Sequence, residues 1–127
     1  MQAFNSGWGQ WRLGAAAGLL LVMGAAQAEV APPVRAEITG LLDFVEHSGC
    51  QFVRNGTAYP APQAREHLQK KLTYLEGKKR INSAEDFIEL AATQSSMSGK
   101  PYQVRCPTGS QPAGTWLNTE LHRQRAQ

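Results

Sequence analysis

Apolar residues recur at helical spacing in four stretches of this chain and alternate in one, and turn-forming residues separate the segments. Ile38, Leu41, Leu42 and Val45 lie three and four apart, with Phe44 widening the stripe, which predicts a first helix stopped by Gly49 with His47 at its C-terminal dipole. Ala64, Leu68, Leu72 and Leu75 predict a second helix, opened by Pro60 and Pro62 and closed by Gly77. Projection at about 100° per residue puts Lys71 inside that stripe and His67 with Tyr74 along one edge. The ordinary outcome for such a lysine is to lay its stem on the core and lift its amine to the rim. Phe87, Ile88 and Ala91, with Leu90 at the margin, mark a third helix started by the capping pair Ser83 and Asp86. Trp116, Leu117 and Leu121 mark a fourth from about Thr115, with His122, Arg123 and Arg125 at its end.

The alternating stretch is Tyr102 to Cys106, with Tyr102, Val104 and Cys106 on one face and Gln103 and Arg105 on the other. Gln51 to Tyr59 reads as a hairpin turning at Asn55-Gly56, because a type I′ turn needs positive φ at both central positions. The same residues form a glycosylation sequon with Thr57, but the turn is the favoured reading. Residues 95–100 end the third helix in a hydroxyl-rich loop with Gly99 as a left-handed cap, and Pro107 to Gly114 reads as a loop. Glu29 to Val34, with Pro32-Pro33, is expected to be an extended, mobile lead-in.

One apolar run stands apart. Leu13 to Ala26 follows Arg12 and precedes Ala26-Gln27-Ala28, the positive start, apolar centre and small-x-small end of a cleavable export signal over residues 1–28. The run is too short for a bilayer span, which takes about 20 residues. The mature chain, residues 29–127, is therefore expected to work in the periplasm or as a secreted protein, as a single α+β domain.

Charge and cysteine usage narrow the picture. Without Arg12 there are twelve Lys and Arg against ten Asp and Glu, interspersed except at Lys78-Lys79-Arg80, which argues against a nucleic-acid partner. Cys50 and Cys106 are the only cysteines, and in an oxidising compartment they are expected to form a disulfide. A zinc site of His47, Cys50 and Cys106 is the alternative, but it lacks a second close ligand pair, so neither metal nor cofactor is expected.

The disulfide also implies a register. Cys50 precedes the first strand and Cys106 ends the third, so the two strands run antiparallel and the sheet has three strands in the order 2-1-3, one face covered by three to four helices. Cys50 facing Cys106 pairs Phe52 with Val104 and Arg54 with Tyr102, all on the core-side face. Arg54 either caps the core rim, stacked on Tyr102 and donating to carbonyls near Ser98, or anchors an anion-binding corner. That corner would consist of Arg54, His67, Lys71, Ser95, Ser96, Ser98 and Tyr102. Its occupant would be a small carboxylate or phosphate. A hydrolase using Ser95 to Ser98 with His67 and Asp86 or Glu85 is the catalytic alternative, though no G-x-S-x-G elbow is present. A purely structural envelope protein, meeting a protein partner through an apolar patch near Trp116 or Met97, is the third reading.

Several strings occur here in order: Phe52-Val53-Arg54-Asn55-Gly56, Ala64 to His67-Leu68 with Lys71, Ala84-Glu85 to Phe87-Ile88, and Ser95-Ser96 to Ser98-Gly99-Lys100-Pro101-Tyr102. Together they resemble the YfeK-like family, small exported bacterial proteins with a domain of unknown function, over about Glu37 to Leu121. The resemblance implies a location in the bacterial envelope and brings no activity, cofactor or catalytic residue. The preferred reading is a non-catalytic binding or interaction module.

Overall fold

The computed structural model describes residues 30–127, and the expected export signal over residues 1–28 lies outside them. The elements run α1 (Pro32–His47), β1 (Gln51–Arg54), β2 (Thr57–Pro60), α2 (Ala61–Gly77), α3 (Ala84–Phe87), β3 (Gln103–Cys106), β4 (Gly109–Pro112) and α4 (Ala113–Arg125). A π-helical turn over Ile88–Ala92 prolongs α3. The fold is α+β, with a single antiparallel sheet. Among the described residues no helix is long and apolar enough to cross a membrane.

The apolar stripes pack as their spacing predicts. Ile38, Leu41, Leu42 and Val45 of α1 and Ala64, Leu68, Leu72 and Leu75 of α2 are all buried, and the two helices lie against each other. Ser83 Oγ accepts from the Asp86 amide at 3.0 Å, while the Asp86 carboxylate accepts from the Asn82 amide at 2.9 Å. Phe87, Ile88, Ala91 and Ala92 then join the core. Thr93 Oγ1 donates to the Ile88 carbonyl five residues back, which matches the wider π turn. Trp116 is buried rather than part of a surface patch: its ring meets Phe44 at 4.7 Å and Phe52 at 5.9 Å.

Two expectations are corrected. Residues 32–34 are not an extended lead-in, because α1 begins at Pro32. Amides of a first helical turn have no intrahelical acceptor, so prolines cost nothing there and their fixed φ suits the helix. The sheet has four strands in the order β2-β1-β3-β4, not three. The extra strand, β4, is exposed along its whole length, so its sequence carries no alternation. It forms because the outer edge of β3 offers unpaired backbone groups, and Gly109 (φ 136°) lets the chain reverse directly onto that edge.

The central register follows the expected rule. Phe52 pairs with Val104, with Gln51 opposite Arg105 and Val53 opposite Gln103. Cys50 and Cys106 are joined as a disulfide with a Cα separation of 4.3 Å. Asn55 (φ 50°) and Gly56 (φ 82°) make the hairpin turn, and Arg54 faces Thr57 across it.

The bond closes a loop of 56 residues' separation. Loop closure of that length contributes about 4 kcal/mol in the chain-entropy treatment. Cys50→Ala/Cys106→Ala should therefore lower the melting temperature by roughly 15–30 °C for a domain of this size, measurable by circular dichroism. A shift of only a few degrees would show that β1 and β3 hold their register without the crosslink.

Candidate functional site

The residue at the centre of the site is a tyrosine immediately before β3. Tyr102 is 2% exposed, the largest of the fully buried side chains. Its amide donates to the Thr93 carbonyl and its carbonyl accepts from the Ala113 amide, both at about 3.0 Å, so the backbone there joins the end of α3 to the start of α4. Its ring meets Phe52 edge-on at 6.4 Å and His67 at 6.0 Å.

A phenol buried this far needs partners for its hydroxyl. Two come from successive turns of α2. Lys71 Nζ lies 3.2 Å from the Tyr102 oxygen and donates to it, and His67 Nε2 lies 3.2 Å away on the other side. The arrangement that satisfies all three runs from the lysine ammonium, through the phenol, to an unprotonated Nε2. Lys71 Nζ also donates to the Gln94 carbonyl at 3.2 Å and sits 5.0 Å from the centre of the Tyr102 ring. The lysine therefore snorkels from the stripe, as expected, but onto the phenol and a helix-end carbonyl.

Arg54 occupies a different place from the one expected. It stacks on Tyr59, 4.9 Å from the ring centroid, with Nη2 3.3 Å from the Tyr59 hydroxyl, and not on Tyr102. The β1–β3 ladder ends at Val53 and Gln103, and the Tyr102 amide turns away to Thr93. Tyr59 faces Phe52 on β2, which makes it the diagonal neighbour of Arg54 on the same face of the hairpin. The carbonyl near Ser98 expected to receive Arg54 is not its partner; the helix-end acceptor, Gln94, belongs to Lys71.

These side chains surround two adjoining cavities. The smaller, about 220 Å³, is lined by Arg54, Tyr59, His67, Lys70 and Tyr102, with Phe52 and Ala64 as apolar wall and Glu66 and Gln63 at the rim. The larger, about 600 Å³, is lined by His67, Lys70, Lys71, Tyr74, Leu75, Arg80, Leu90 and Ser96. His67 and Lys70 line both.

Positive charge dominates here. Among the described residues Arg35, Arg65, Arg123 and Arg125 all form salt bridges with carboxylates elsewhere on the surface, whereas Arg54, Lys70, Lys71 and Arg80 form none. The paired arginines lie on α1, α2 and α4, whereas the cations around Tyr102 have no carboxylate partner, as is also the case for Lys78, Lys79, Lys100 and Arg105 elsewhere. Burial, then the fields of Arg54, Lys71 and Lys70, lowers the His67 pKa to about 4. Burial and Arg54 also lower Lys71, while burial raises Tyr102 against an opposing pull from Arg54. His67 is thus neutral at pH 7.

The serines divide. Ser95 is buried, and its Oγ accepts from the Met97 and Ser98 amides and from Asn55 Nδ2 at 3.3–3.4 Å. Ser98 Oγ donates to Asn55 Oδ1 at 2.6 Å. Both tie the 95–98 turn to the tip of the hairpin. Ser96 alone lines a cavity, and His67 is hydrogen-bonded to Tyr102 rather than to any of the three serines. His47 Nδ1 lies 2.9 Å from the Asp43 carbonyl, and both cysteines are committed to the disulfide.

The structure therefore joins Arg54, His67, Lys71, Tyr102 and Ser96 around adjoining cavities and leaves Ser95 and Ser98 as turn-formers. Sequence reasoning missed Tyr59, Lys70, Glu66 and Arg80. Two signals pointed to the first two: pairing across the Asn55-Gly56 turn sets Tyr59 opposite Phe52 and diagonal to Arg54, and His67, Lys70, Lys71 and Tyr74 are spaced i, i+3, i+4, i+7, one face of a helix. No spacing in the sequence singled out Glu66 or Arg80.

Two consequences are measurable. Below pH 6.5 the unfolded chain takes up a proton at His67 that the folded protein refuses until about pH 4, so stability falls across that window. With the ring partly solvated, the loss is on the order of 1–2 kcal/mol, and His67→Gln should flatten the denaturant midpoint between pH 6.5 and 5. Ser95→Ala should cost about 1–3 kcal/mol by orphaning the turn amides, without changing the shifts of the His67 ring in NMR spectra.

The chain matches the profile of a family of unknown function (DUF5329) over residues 32–125. It is 38% identical, over 84 residues, to the uncharacterized protein YfeK of Salmonella typhimurium, a match covering 65% of this chain and 68% of that protein. No solved structure matches the chain. The resemblance read from the hairpin, helix and loop strings is borne out, and the chain belongs to DUF5329, a family of unknown function with a YfeK protein among its relatives.

Proposed function

We propose that this protein is a non-catalytic binding module of the bacterial periplasm or exterior, and that the pocket between Arg54, His67, Lys70 and Tyr102 takes a small anion. The observation that carries the reading is a pocket lined by Arg54 and Lys70, neither paired with a carboxylate, beside a histidine that burial and the neighbouring cations keep neutral. Unpaired cations held on a buried hydroxyl scaffold repel one another, and an anion is what relieves that repulsion. The planar Arg54 fork, braced on Tyr59, suits a carboxylate or phosphate.

Address and chemistry are consistent. The export pattern over residues 1–28 and the pairing of Cys50 with Cys106 both support an oxidising compartment outside the cytoplasm. Binding is favoured over a serine hydrolase because Ser95 and Ser98 are committed to the turn and His67 to the phenol.

The groups facing His67 are Arg54 from β1, Lys70 and Lys71 from α2, Tyr102 ahead of β3, and Glu66 at the rim. An anion added to that set should raise the His67 pKa from about 4 towards its ordinary value, so binding takes up protons and tightens as pH falls. Isothermal titration with inorganic phosphate and with acetate, at pH 7 and pH 5.5, should show the tightening, and NMR should follow the His67 ring. Arg54→Ala should weaken binding at least about tenfold while leaving thermal unfolding nearly unchanged. Equal affinity in Arg54→Ala and the unaltered protein would rule out this pocket.

A further inference from the structure

The larger cavity on the other side of His67 and Lys70 has a different character from the anion pocket. Its floor is Leu75, which is buried, and Leu90, which is partly buried against the core. One wall is Tyr74, 64% exposed and one of two large hydrophobic side chains left open to solvent among the described residues. The other, Met97, is 96% exposed and lies outside both cavities. Lys70, Lys71 and Arg80 line the same cavity. Lys78 holds its ammonium 5.6 Å from the Tyr74 ring centroid, adding a further positive charge at that edge.

An apolar floor beside a cluster of cations without carboxylate partners matches a molecule that is apolar along its length and anionic at one end. We propose that the ligand is a single-chain amphiphilic anion, a carboxylate or phosphate head with an unbranched alkyl tail. The head lies between Arg54 and His67, and the tail passes Lys70 and runs along Leu75, Leu90 and Tyr74. This rests on the anion pocket and adds the chemistry of the rest of the ligand. The volumes are compatible, about 220 Å³ for the head and about 600 Å³ for the tail. A tail there also covers the exposed face of Tyr74. The two cavities share His67 and Lys70 as lining residues, so a ligand that fills both passes these two side chains.

Titration with a series of n-alkanoates from acetate to decanoate, each below its critical micelle concentration, tests this. Affinity should rise about two- to fourfold per added methylene, as expected for a tail partly or fully removed from water. Tyr74→Ser and Leu90→Gln should each flatten that rise while leaving acetate and phosphate binding in place. Tyr74→Ser changes an exposed side chain, so it tests the groove even where Leu90→Gln disturbs packing. Arg54→Ala should weaken every member of the series by a similar factor, and Lys79→Gln, a charge change outside both cavities, should alter none of them.

The failures are distinguishable. Acetate and phosphate binding with no dependence on chain length would overturn the amphiphile and keep the anion pocket. A chain-length gain that survives Tyr74→Ser together with Leu90→Gln would place the tail elsewhere and overturn the groove. No binding by any member, nor by phosphate, would overturn both.

Discussion

A buried phenol must give its hydroxyl a donor and an acceptor, and in this protein that demand organises the surroundings of Tyr102. The oxygen is met from successive turns of one helix, by Lys71 and His67. The backbone of the same residue bridges Thr93 and Ala113, so the end of α3, the start of α4 and the face of α2 are referred to a single position. Tyr102 reaches that position because β3 is in register with β1, Phe52 opposite Val104, with the disulfide two residues further along at the opposite end of the pairing. Satisfying one hydroxyl thus brings a lysine and a histidine to the edge of the core.

That placement has an electrostatic cost. Burial depresses the protonation of both His67 and Lys71, and the charges of Arg54 and Lys71 depress His67 further. Several other surface arginines are neutralised locally: Arg125 bridges Glu37 and Glu85, and Arg65 bridges Asp43 and Glu46. Repulsion among cations drawn to one half-buried pocket is the physical content of the binding proposal. A site of this kind is destabilising when empty and relieved when filled, so binding and protonation are coupled.

Much of the frame was legible because it depends on local rules. Helical spacing identified the buried faces of α1 and α2, the Ser83 and Asp86 pair the start of α3, and Asn55-Gly56 the hairpin turn. The strand pairing followed from two cysteines and the constant sum of facing positions. The misses have physical reasons too. β4 buries nothing, so its formation answers to the backbone edge of β3 rather than to its side chains. Pro32 and Pro33 suit either an extended segment or a first helical turn, and only the packing of α1 on α2 selects the helix.

For the site, the sequence by itself determined which residue types are present and which share a face: Arg54 with Phe52, and His67 with Lys70, Lys71 and Tyr74. Tertiary structure alone decided which of them meet. It gave Arg54 to Tyr59 rather than Tyr102, joined Lys71 to the phenol, withdrew Ser95 and Ser98 into a turn, and gathered cations whose average over the chain is small. Face membership follows from a period along the chain, which any local window contains. Contact between residues dozens of positions apart depends on where a ladder ends and which backbone groups remain to be satisfied, and no local window contains that.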